Sequence, residues 1–383
     1  MHSLEAYAQD KLASLRQRHL YRALNETLRE DSIWVERHDR RLLSFSCNDY
    51  LNLTQHPAIK KAAIAGIEEY GAGSGASRLV TGNHPLYAEL EARLAEFKQT
   101  EAACVFGSGY LANTGIIPAL IGSDGLILLD EFSHACIYAG AQLSRGQVKT
   151  FRHNDLDHAR ALLTEHRSRH HHTLIVTDGV FSMDGDIAPL EDLLALAEQF
   201  DAWLMSDDAH GIGVVGGGRG SSFSEISHVA VPLQMGTLSK AIGSYGGYLC
   251  ASASVIELMR NRARTLIYST GLPPASVAAA IAALDLIKRE PAYAALPVAK
   301  AKAFTRRAEL PEAQSPIVPI VIGDEEAALS ASQALEREGF LVVAIRPPTV
   351  PARTARLRLT FTAQHPDDEI ARLADIVREK LLA

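Results

Sequence analysis

Between residues 102 and 251, short apolar runs alternate with longer stretches whose apolar residues recur at helical spacing. The runs are apolar along their whole length, which is typical of strands buried on both faces of a mostly parallel sheet. Such a sheet needs helices on both faces, and intervening stretches such as 190–200 can supply them. The pattern predicts an α/β domain with strands at 102–106, 126–129, 173–177, 203–206, 231–235 and 247–251.

The sequence pattern changes on either side of this region. Residues 4–30 alternate apolar and charged positions, which predicts one or two amphipathic helices in an N-terminal arm. A chain of 383 residues suits two packed domains, and we expect the binding site to form between them. The predicted divisions are an N-terminal helical arm over 1–45, a large domain over 46–280 and a small α+β domain over 281–383. Beyond residue 274 the pattern predicts helices at 275–288, 325–338 and 366–382 and strands at 317–322, 341–345 and 356–361.

Composition and charge exclude several classes of function. No stretch approaches the roughly 18 consecutive apolar residues of a membrane span, and the first 18 residues lack a secretory signal, so we expect a cytoplasmic protein. A formal net charge of −7 argues against nucleic-acid binding. Four separated cysteines without a CxxC pair argue against a zinc site or a disulfide framework, and we expect no metal. The cysteines are Cys47, Cys104, Cys136 and Cys250.

The strongest chemical signal is Lys240, which follows the predicted strand 231–235 in the run 237–247 (TLSKAIGSYGG). Small and hydroxylated neighbours leave room for a bulky aldehyde cofactor and offer donors to its phosphate. A lysine just past a strand is otherwise an ordinary solvated residue. Other segments are needed to favour the chemical interpretation.

Asp207 and His210 follow another predicted strand, in the run 203–211 (WLMSDDAHG). Ligands of open α/β sheets bind beyond the carboxyl ends of the strands, and a pyridoxal-phosphate (PLP) site needs an acid there to keep the pyridine nitrogen protonated. Asp207 suits that role. The alternative is an aspartate that caps a helix, with His210 merely hydrogen-bonded.

Two weaker signals follow the strands 102–106 and 126–129. Ser108, Gly109 and Tyr110 form a turn that leads into a helical pattern, and the backbone N–H groups of such a helix start attract phosphate. His134 could stack on a flat aromatic ring, although a buried core histidine is an equally good interpretation.

Taken in this order, these residues resemble the α-oxoamine synthase family of fold-type I PLP-dependent enzymes. The resemblance covers nearly the whole chain and implies a large domain with a mostly parallel sheet between helices and a smaller C-terminal α+β domain. Asn52 departs from the family, which usually has glycine there. The similar segments are 45–51 (FSCNDYL), 73–78 (GSGASR), 178–186 (DGVFSMDGD) and 268–270 (YST).

Within the family, residues 344–351 (AIRPPTVP) and 354–359 (TARLRL) resemble the branch that acts in biotin biosynthesis. That similarity implies PLP-dependent decarboxylative condensation of L-alanine with a pimeloyl thioester, carried by acyl carrier protein or coenzyme A. A sister enzyme using glycine and another thioester, an aminotransferase, and a non-catalytic PLP-binding protein are the alternatives.

The resemblance also implies roles for individual residues. Lys240 carries PLP as a Schiff base, Asp207 pairs with the ring nitrogen, His210 bonds the phenolic oxygen and His134 stacks on the ring. Ser269 and Thr270 would reach the phosphate of a neighbouring subunit, which implies a homodimer with shared active sites. The other implied cofactor contacts are Ser108, Gly109, Tyr110, Ser182 and Thr237, and the substrate contacts are Arg22, Asn48, His134, Thr349 and Arg358.

The N-terminal arm carries Arg16, Arg18 and Arg22 within seven residues. Such a run could meet an acidic acyl carrier protein, or it could be a solvated face.

Overall fold

The computed structural model describes residues 2–18, 20–30, 33–224 and 226–382. The chain begins with helix α1 (His2–Gln17), none of whose residues is buried. Extended chain follows, and the prediction of helices is wrong for 20–30: Leu24 is fully exposed, so no core stabilises a helix there. Strands β1 (Leu28–Arg29), β2 (Trp34–Arg37) and β3 (Arg40–Ser44) then form an antiparallel ladder.

The central feature of the fold is a seven-stranded sheet. Its order is β4-β10-β9-β8-β7-β5-β6; the strands from β9 to β6 are parallel and β10 is antiparallel to both neighbours, which confirms the mostly parallel α/β prediction. The strands are β4 (Ala102–Phe106), β5 (Leu126–Asp130), β6 (Gln147–Phe151), β7 (Thr173–Asp178), β8 (Trp203–Asp207), β9 (Leu233–Thr237) and β10 (Gly247–Ala251).

Two details of the predicted strands differ in the structure. The strand predicted at 231–235 lies two residues later, as β9. β6 was not predicted, because it lies at the edge of the sheet, and all of its residues except Phe151 are partly or fully exposed. An edge strand lacks the continuous apolar run that burial on both faces imposes.

Helices cover both faces of this sheet. On one face of the sheet, α10 packs on α2 and α3. On the opposite face, α4 packs on α5. Almost every strand residue of β5, β7 and β10 is fully buried between these layers. The helices are α2 (Pro57–Tyr70), α3 (Leu86–Lys98), α4 (Gly109–Leu120), α5 (Ala135–Ser144), α6 (Leu156–His166), α7 (Leu190–Gln199), α8 (Ala253–Arg262), α9 (Arg264–Ile267) and α10 (Pro274–Arg289).

The C-terminal region has its own sheet, β11-β14-β13, which is antiparallel. The strand predicted over 341–345 is divided in two: β12 pairs with β3 of the N-terminal ladder, and β13 pairs with β14. The three-part division of the chain stays a prediction. The elements are α11 (Pro291–Arg307), β11 (Ile317–Gly323), α12 (Glu325–Arg337), β12 (Phe340–Leu341), β13 (Val343–Ile345), β14 (Ala355–Thr360) and α13 (Asp367–Leu381).

Among the described residues, no helix is both long and apolar enough to cross a membrane.

Candidate active site

Three ionisable side chains meet at the carboxyl end of the central sheet. Asp178 ends β7 directly opposite Asp207, which ends β8, and Lys240 follows the next strand, β9. This edge is where open α/β sheets bind ligands. All three residues line one cavity of about 240 Å³, together with Ser108, Gly109, Tyr110, His134, Cys136, Val180, Ala209, His210, Met235, Thr237 and Ser239.

Lys240 belongs to a chain of hydrogen bonds that runs through His210 to Tyr50. Its Nζ lies 2.7 Å from Nε2 of His210, and Nδ1 of His210 lies 2.7 Å from the Tyr50 hydroxyl. Burial lowers the pKa of Lys240 to about 8, although the nearby Asp207 charge opposes the shift. Burial and the Lys240 charge hold the pKa of His210 well below its usual value, so the imidazole is neutral.

The position of the proton on that neutral imidazole follows from the charge on Lys240. A charged Lys240 can only donate to Nε2 of His210, which leaves the ring proton on Nδ1. Nδ1 then donates to the Tyr50 hydroxyl at 2.7 Å, and the Tyr50 O–H donates to Oδ1 of Asn48 at 3.3 Å. Nε2 faces Lys240 and the cavity.

The Asp207 carboxylate is held by two donors. Oδ2 accepts from Nδ2 of Asn113 at 2.7 Å, and Oδ1 accepts from the backbone N–H of Ala209 at 3.0 Å. The neighbouring Asp178 is buried, and burial together with the Asp207 charge raises its pKa well above the usual value. Asp178 Oδ1 also accepts from the backbone N–H of His134 at 3.3 Å. Of the two carboxyl groups, Asp178 is therefore the one whose surroundings favour the protonated form.

The far end of the cavity is the N-terminus of α4. Ser108 caps this helix, with its Oγ accepting from the Leu111 N–H at 3.1 Å, and Gly109 and Tyr110 form the first turn. Free N–H groups at such a terminus bind anions. Thr237 lines the same end, where its hydroxyl donates to the Gly246 carbonyl at 2.8 Å.

The donor set fits PLP. The cavity offers an amine for the aldehyde, a carboxylate for a protonated ring nitrogen, an imidazole nitrogen for a phenolic oxygen and a helix N-terminus for phosphate. These are Lys240, Asp207, His210 and the first turn of α4.

A second, larger groove of about 680 Å³ adjoins this cavity. His134 lines both, with an exposed side chain that caps α5 by accepting from the Cys136 N–H at 3.2 Å. Across the groove, Nη2 of Arg22 donates to the Thr349 hydroxyl at 3.1 Å. The groove is lined by Arg22, Glu131, Phe132, Ser133, His134, Ala135, Tyr138, Ser182, Met183, Asp184, Pro348, Thr349, Val350 and Pro351.

Arg358 connects the groove wall with the hydrogen-bonded chain of Lys240. It lies buried on β14, where Nε donates to the Ser182 carbonyl and Nη1 donates to Oδ1 of Asn48 at 3.1 Å. With the Tyr50 bond, three of its five N–H groups are engaged, and two have no partner among the described residues.

Ser269 and Thr270 do not join this site within one chain. They line a separate cleft with Arg78 and Tyr87. Their predicted contact with a neighbouring subunit stays a prediction.

Sequence reasoning missed Tyr50, Asn113 and Asp178 as site residues. Asp178 had a usable signal, because it ends a buried strand next to the one that carries Asp207. Tyr50 and Asn113 had none, since only the folded chain brings them to His210 and Asp207. Across the described ranges, no cluster of three or more His, Cys, Asp or Glu residues could hold a metal ion.

Comparisons with known proteins agree with this chemistry. The class I and II aminotransferase family matches residues 40–377. An 8-amino-7-oxononanoate synthase of Methylocella silvestris is 66% identical over 345 residues, or 90% of this chain and 98% of the relative. The 8-amino-7-oxononanoate synthase of Beijerinckia indica is 60% identical over 377 residues, or 98% of each chain.

Solved structures share the fold at lower identity. Serine palmitoyltransferase from S. paucimobilis with a bound PLP–myriocin aldimine has a TM-score of 0.91 at 27% identity, covering 98% of this chain and 97% of that one. The 8-amino-7-oxononanoate synthase of Francisella tularensis has a TM-score of 0.76 at 27% identity, covering 89% and 98%. The chain therefore belongs to the class I and II aminotransferase family of fold-type I PLP-dependent enzymes and, within it, to the family of the 8-amino-7-oxononanoate synthases.

Proposed function

We propose that this chain condenses L-alanine with a pimeloyl thioester, releasing CO₂ and the free carrier thiol and forming 8-amino-7-oxononanoate for biotin biosynthesis. The observation that carries the proposal is the convergence of Lys240, Asp207 and His210 on one cavity that shares His134 with a second, larger groove. The cavity that contains Lys240 suits the cofactor and the amino acid, and the adjoining groove suits an acyl chain. The names of the relatives at 60% and 66% identity support the choice of substrates.

Bound PLP supplies a protonated ring into which negative charge at the amino-acid Cα can spread. Asp207 is the group that keeps the ring nitrogen protonated, and its bonds to Asn113 and the Ala209 N–H hold it in place. His210 would turn Nε2 toward the phenolic oxygen, because Tyr50 occupies Nδ1.

Lys240 is the residue we expect to hold the cofactor covalently and then to act as the base. Its pKa of about 8 leaves a usable fraction of neutral amine near neutral pH. That amine takes the Cα proton of L-alanine. After CO₂ has left, the ammonium group returns a proton to the same carbon.

Arg358 suits the carboxylate of the amino acid. The bonds to Ser182, Asn48 and Tyr50 fix its plane and leave two N–H groups for a substrate carboxylate. His134 lines both spaces, which supports the proposal that it stacks on the cofactor ring and contacts the incoming acyl group. Arg22 and Thr349 line the groove where the acyl chain would lie.

We further propose a cytoplasmic homodimer in which Ser269 and Thr270 of one subunit reach the phosphate site of the other. Ser269 and Thr270 lie outside the cavity of their own chain, which supports this arrangement. Tyr268, next to Ser269, and Tyr110, in the first turn of α4, are 73% and 53% exposed, so both surfaces are open to a second subunit. Acyl carrier protein and coenzyme A both remain candidate carriers of the pimeloyl group.

The test is product analysis by mass spectrometry. PLP-loaded protein is mixed with L-alanine and glycine in equal amounts and with pimeloyl-coenzyme A or pimeloyl-acyl carrier protein. We expect 8-amino-7-oxononanoate, and its loss in Lys240→Ala. A glycine-derived aminoketone alone would identify a sister condensing enzyme; amine transfer to a keto acid without CO₂ would identify an aminotransferase; no product would reject the proposal.

A further inference from the structure

His153 lies outside the cofactor cavity but between the two loops that form adjacent walls of the groove. It follows β6, and its ring packs between Phe132 and Phe181, with ring centroids 4.6 Å and 4.4 Å away. Phe132 belongs to the loop after β5, and Phe181 belongs to the loop after β7. The ring therefore touches both loops.

Each ring nitrogen of His153 bonds a carboxylate on a different loop. Nδ1 lies 3.1 Å from Oδ1 of the fully buried Asp130, and Nε2 lies 2.8 Å from Oδ2 of Asp186. Both nitrogens must donate, so the ring is an imidazolium. The two carboxylates raise the pKa of His153 to about 10 against the effect of burial, so it stays charged at neutral pH.

The two aspartates in turn hold the backbone around them. Asp130, at the end of β5, accepts from the N–H of Phe132 in the following loop and from the N–H of Asn154, which follows His153, both at 2.8 Å. The carbonyl of Asp186 accepts from the Phe181 N–H at 3.0 Å, so bending the loop back on itself. The ion pairs of His153 therefore connect two loops whose backbone conformations are themselves held by hydrogen bonds.

These loops carry the groove residues on either side of the junction with the cofactor cavity. The first supplies residues 131–134, including His134, and the second supplies Ser182, Met183 and Asp184. On the far side, Arg356 already fixes the second loop through Asp184 and the Met183 carbonyl. His153 is the corresponding link to the first loop.

We propose that His153 is a positioning residue that joins the two walls of the acyl groove and sets their separation for the acyl thioester. The inference rests on the proposed function, because it names the groove's ligand as the thioester. It assigns His153 no contact with the cofactor or with the amino acid.

The kinetic test uses Asp186→Asn, which breaks one link and leaves Asp130 paired, and His153→Gln. We expect the KM for the pimeloyl thioester to rise about 10-fold in each, as befits loss of a charged hydrogen bond. The KM for L-alanine, the Kd for PLP and kcat at saturating thioester stay unchanged. Asp186→Asn removes the charge that accepts both from His153 and from Nδ2 of Asn154, whereas His153→Gln leaves the Asn154 bond in place. The rise in Asp186→Asn is therefore at least as large as in His153→Gln.

The matched control is His166→Gln, which alters a buried histidine whose carboxylate neighbour, Glu165, is exposed and whose helix does not line the groove. Its thioester KM stays at the wild-type value. An unchanged thioester KM in Asp186→Asn, or an equal rise in the KM for both substrates, overturns the inference.

Hydrogen exchange of the PLP-free protein gives a readout that needs no turnover. We expect the Phe181 and Gly185 amides to exchange faster in Asp186→Asn than in the wild type, with no change in His166→Gln. Unaltered exchange in this loop overturns the link between the walls. The two proposals can fail separately. If the wild type forms no product from any pimeloyl thioester but the loop still exchanges faster in Asp186→Asn, the proposed function is rejected and the link between the walls is retained.

Discussion

The buried amine of Lys240 makes a prediction about stability that does not depend on activity. Burial lowers its pKa from 10.5 to about 8 in the PLP-free protein, despite the opposing Asp207 charge. The folded state therefore binds this proton more weakly than the unfolded state does. Below pH 8 the amine is charged in both states, and folding carries the full cost of burying that charge; the cost falls as the pH rises from 8 to 10.5.

The size of the effect follows from the shift. A difference of about 2.5 pKa units corresponds to about 3 kcal/mol of unfolding free energy. Lys240→Met keeps a similar length and removes the charge. We expect the PLP-free variant to be more stable than the wild type by about 3 kcal/mol at pH 7, and most of this advantage to vanish by pH 10.

The assay is urea unfolding of both PLP-free proteins at equal concentration, at pH 7, 8.5 and 10. Comparing the two proteins at each pH removes the contribution of the titrating groups that do not interact with Lys240; His134, Asp178 and His210 do interact with it. A difference that stays constant over this range, or that grows with pH, would refute the reasoning.

Three further predictions concern the aspartates around the site. Lys98→Met leaves the fully buried Asp208 without its 2.9 Å ion pair and should cost about 3–5 kcal/mol in urea unfolding, a loss that Asp208→Asn in the same chain partly restores. Asp207→Asn keeps a similar shape but removes the charge, so the rate constant measured in single-turnover assays should fall at least about 100-fold. An unchanged rate constant would contradict its role. Asp178 has a raised pKa, so the folded state holds this proton more tightly than the unfolded state, and stability falls as the pH rises from the unfolded value of 3.8 through the raised folded value. The advantage of Asp178→Asn in unfolding free energy should therefore grow from pH 4 to pH 8, and a flat difference would contradict the shift.

Several local features of the fold could be read from the sequence. β4 and β10 have the predicted bounds, because a strand buried on both faces must be apolar throughout. Asn52, which departs from the family's glycine, adopts φ 55°, a left-handed conformation that asparagine tolerates, and its Oδ1 accepts from the Gln364 N–H at 3.1 Å. The departure therefore preserves the turn.

Other features had no local signature. The strand predicted over 341–345 belongs to two different sheets, and β12 pairs with β3 almost 300 residues earlier in the chain. Residues 20–30 form no helix despite their helical pattern, because a short helix needs a surface to pack against.

The sequence by itself determined the chemical groups of the site: a lysine, an aspartate and a histidine after successive buried strands, and a glycine-containing turn at a helix start. Strand periodicity and parallel topology bring such positions to one edge of a sheet. Only the tertiary structure decided the protonation states of these groups and the residues that hold them in place. The orientation of the His210 ring, the lowered pKa of Lys240 and the link through His153 depend on burial and on partners distant in sequence. Burial and such partners arise only when the whole chain has folded.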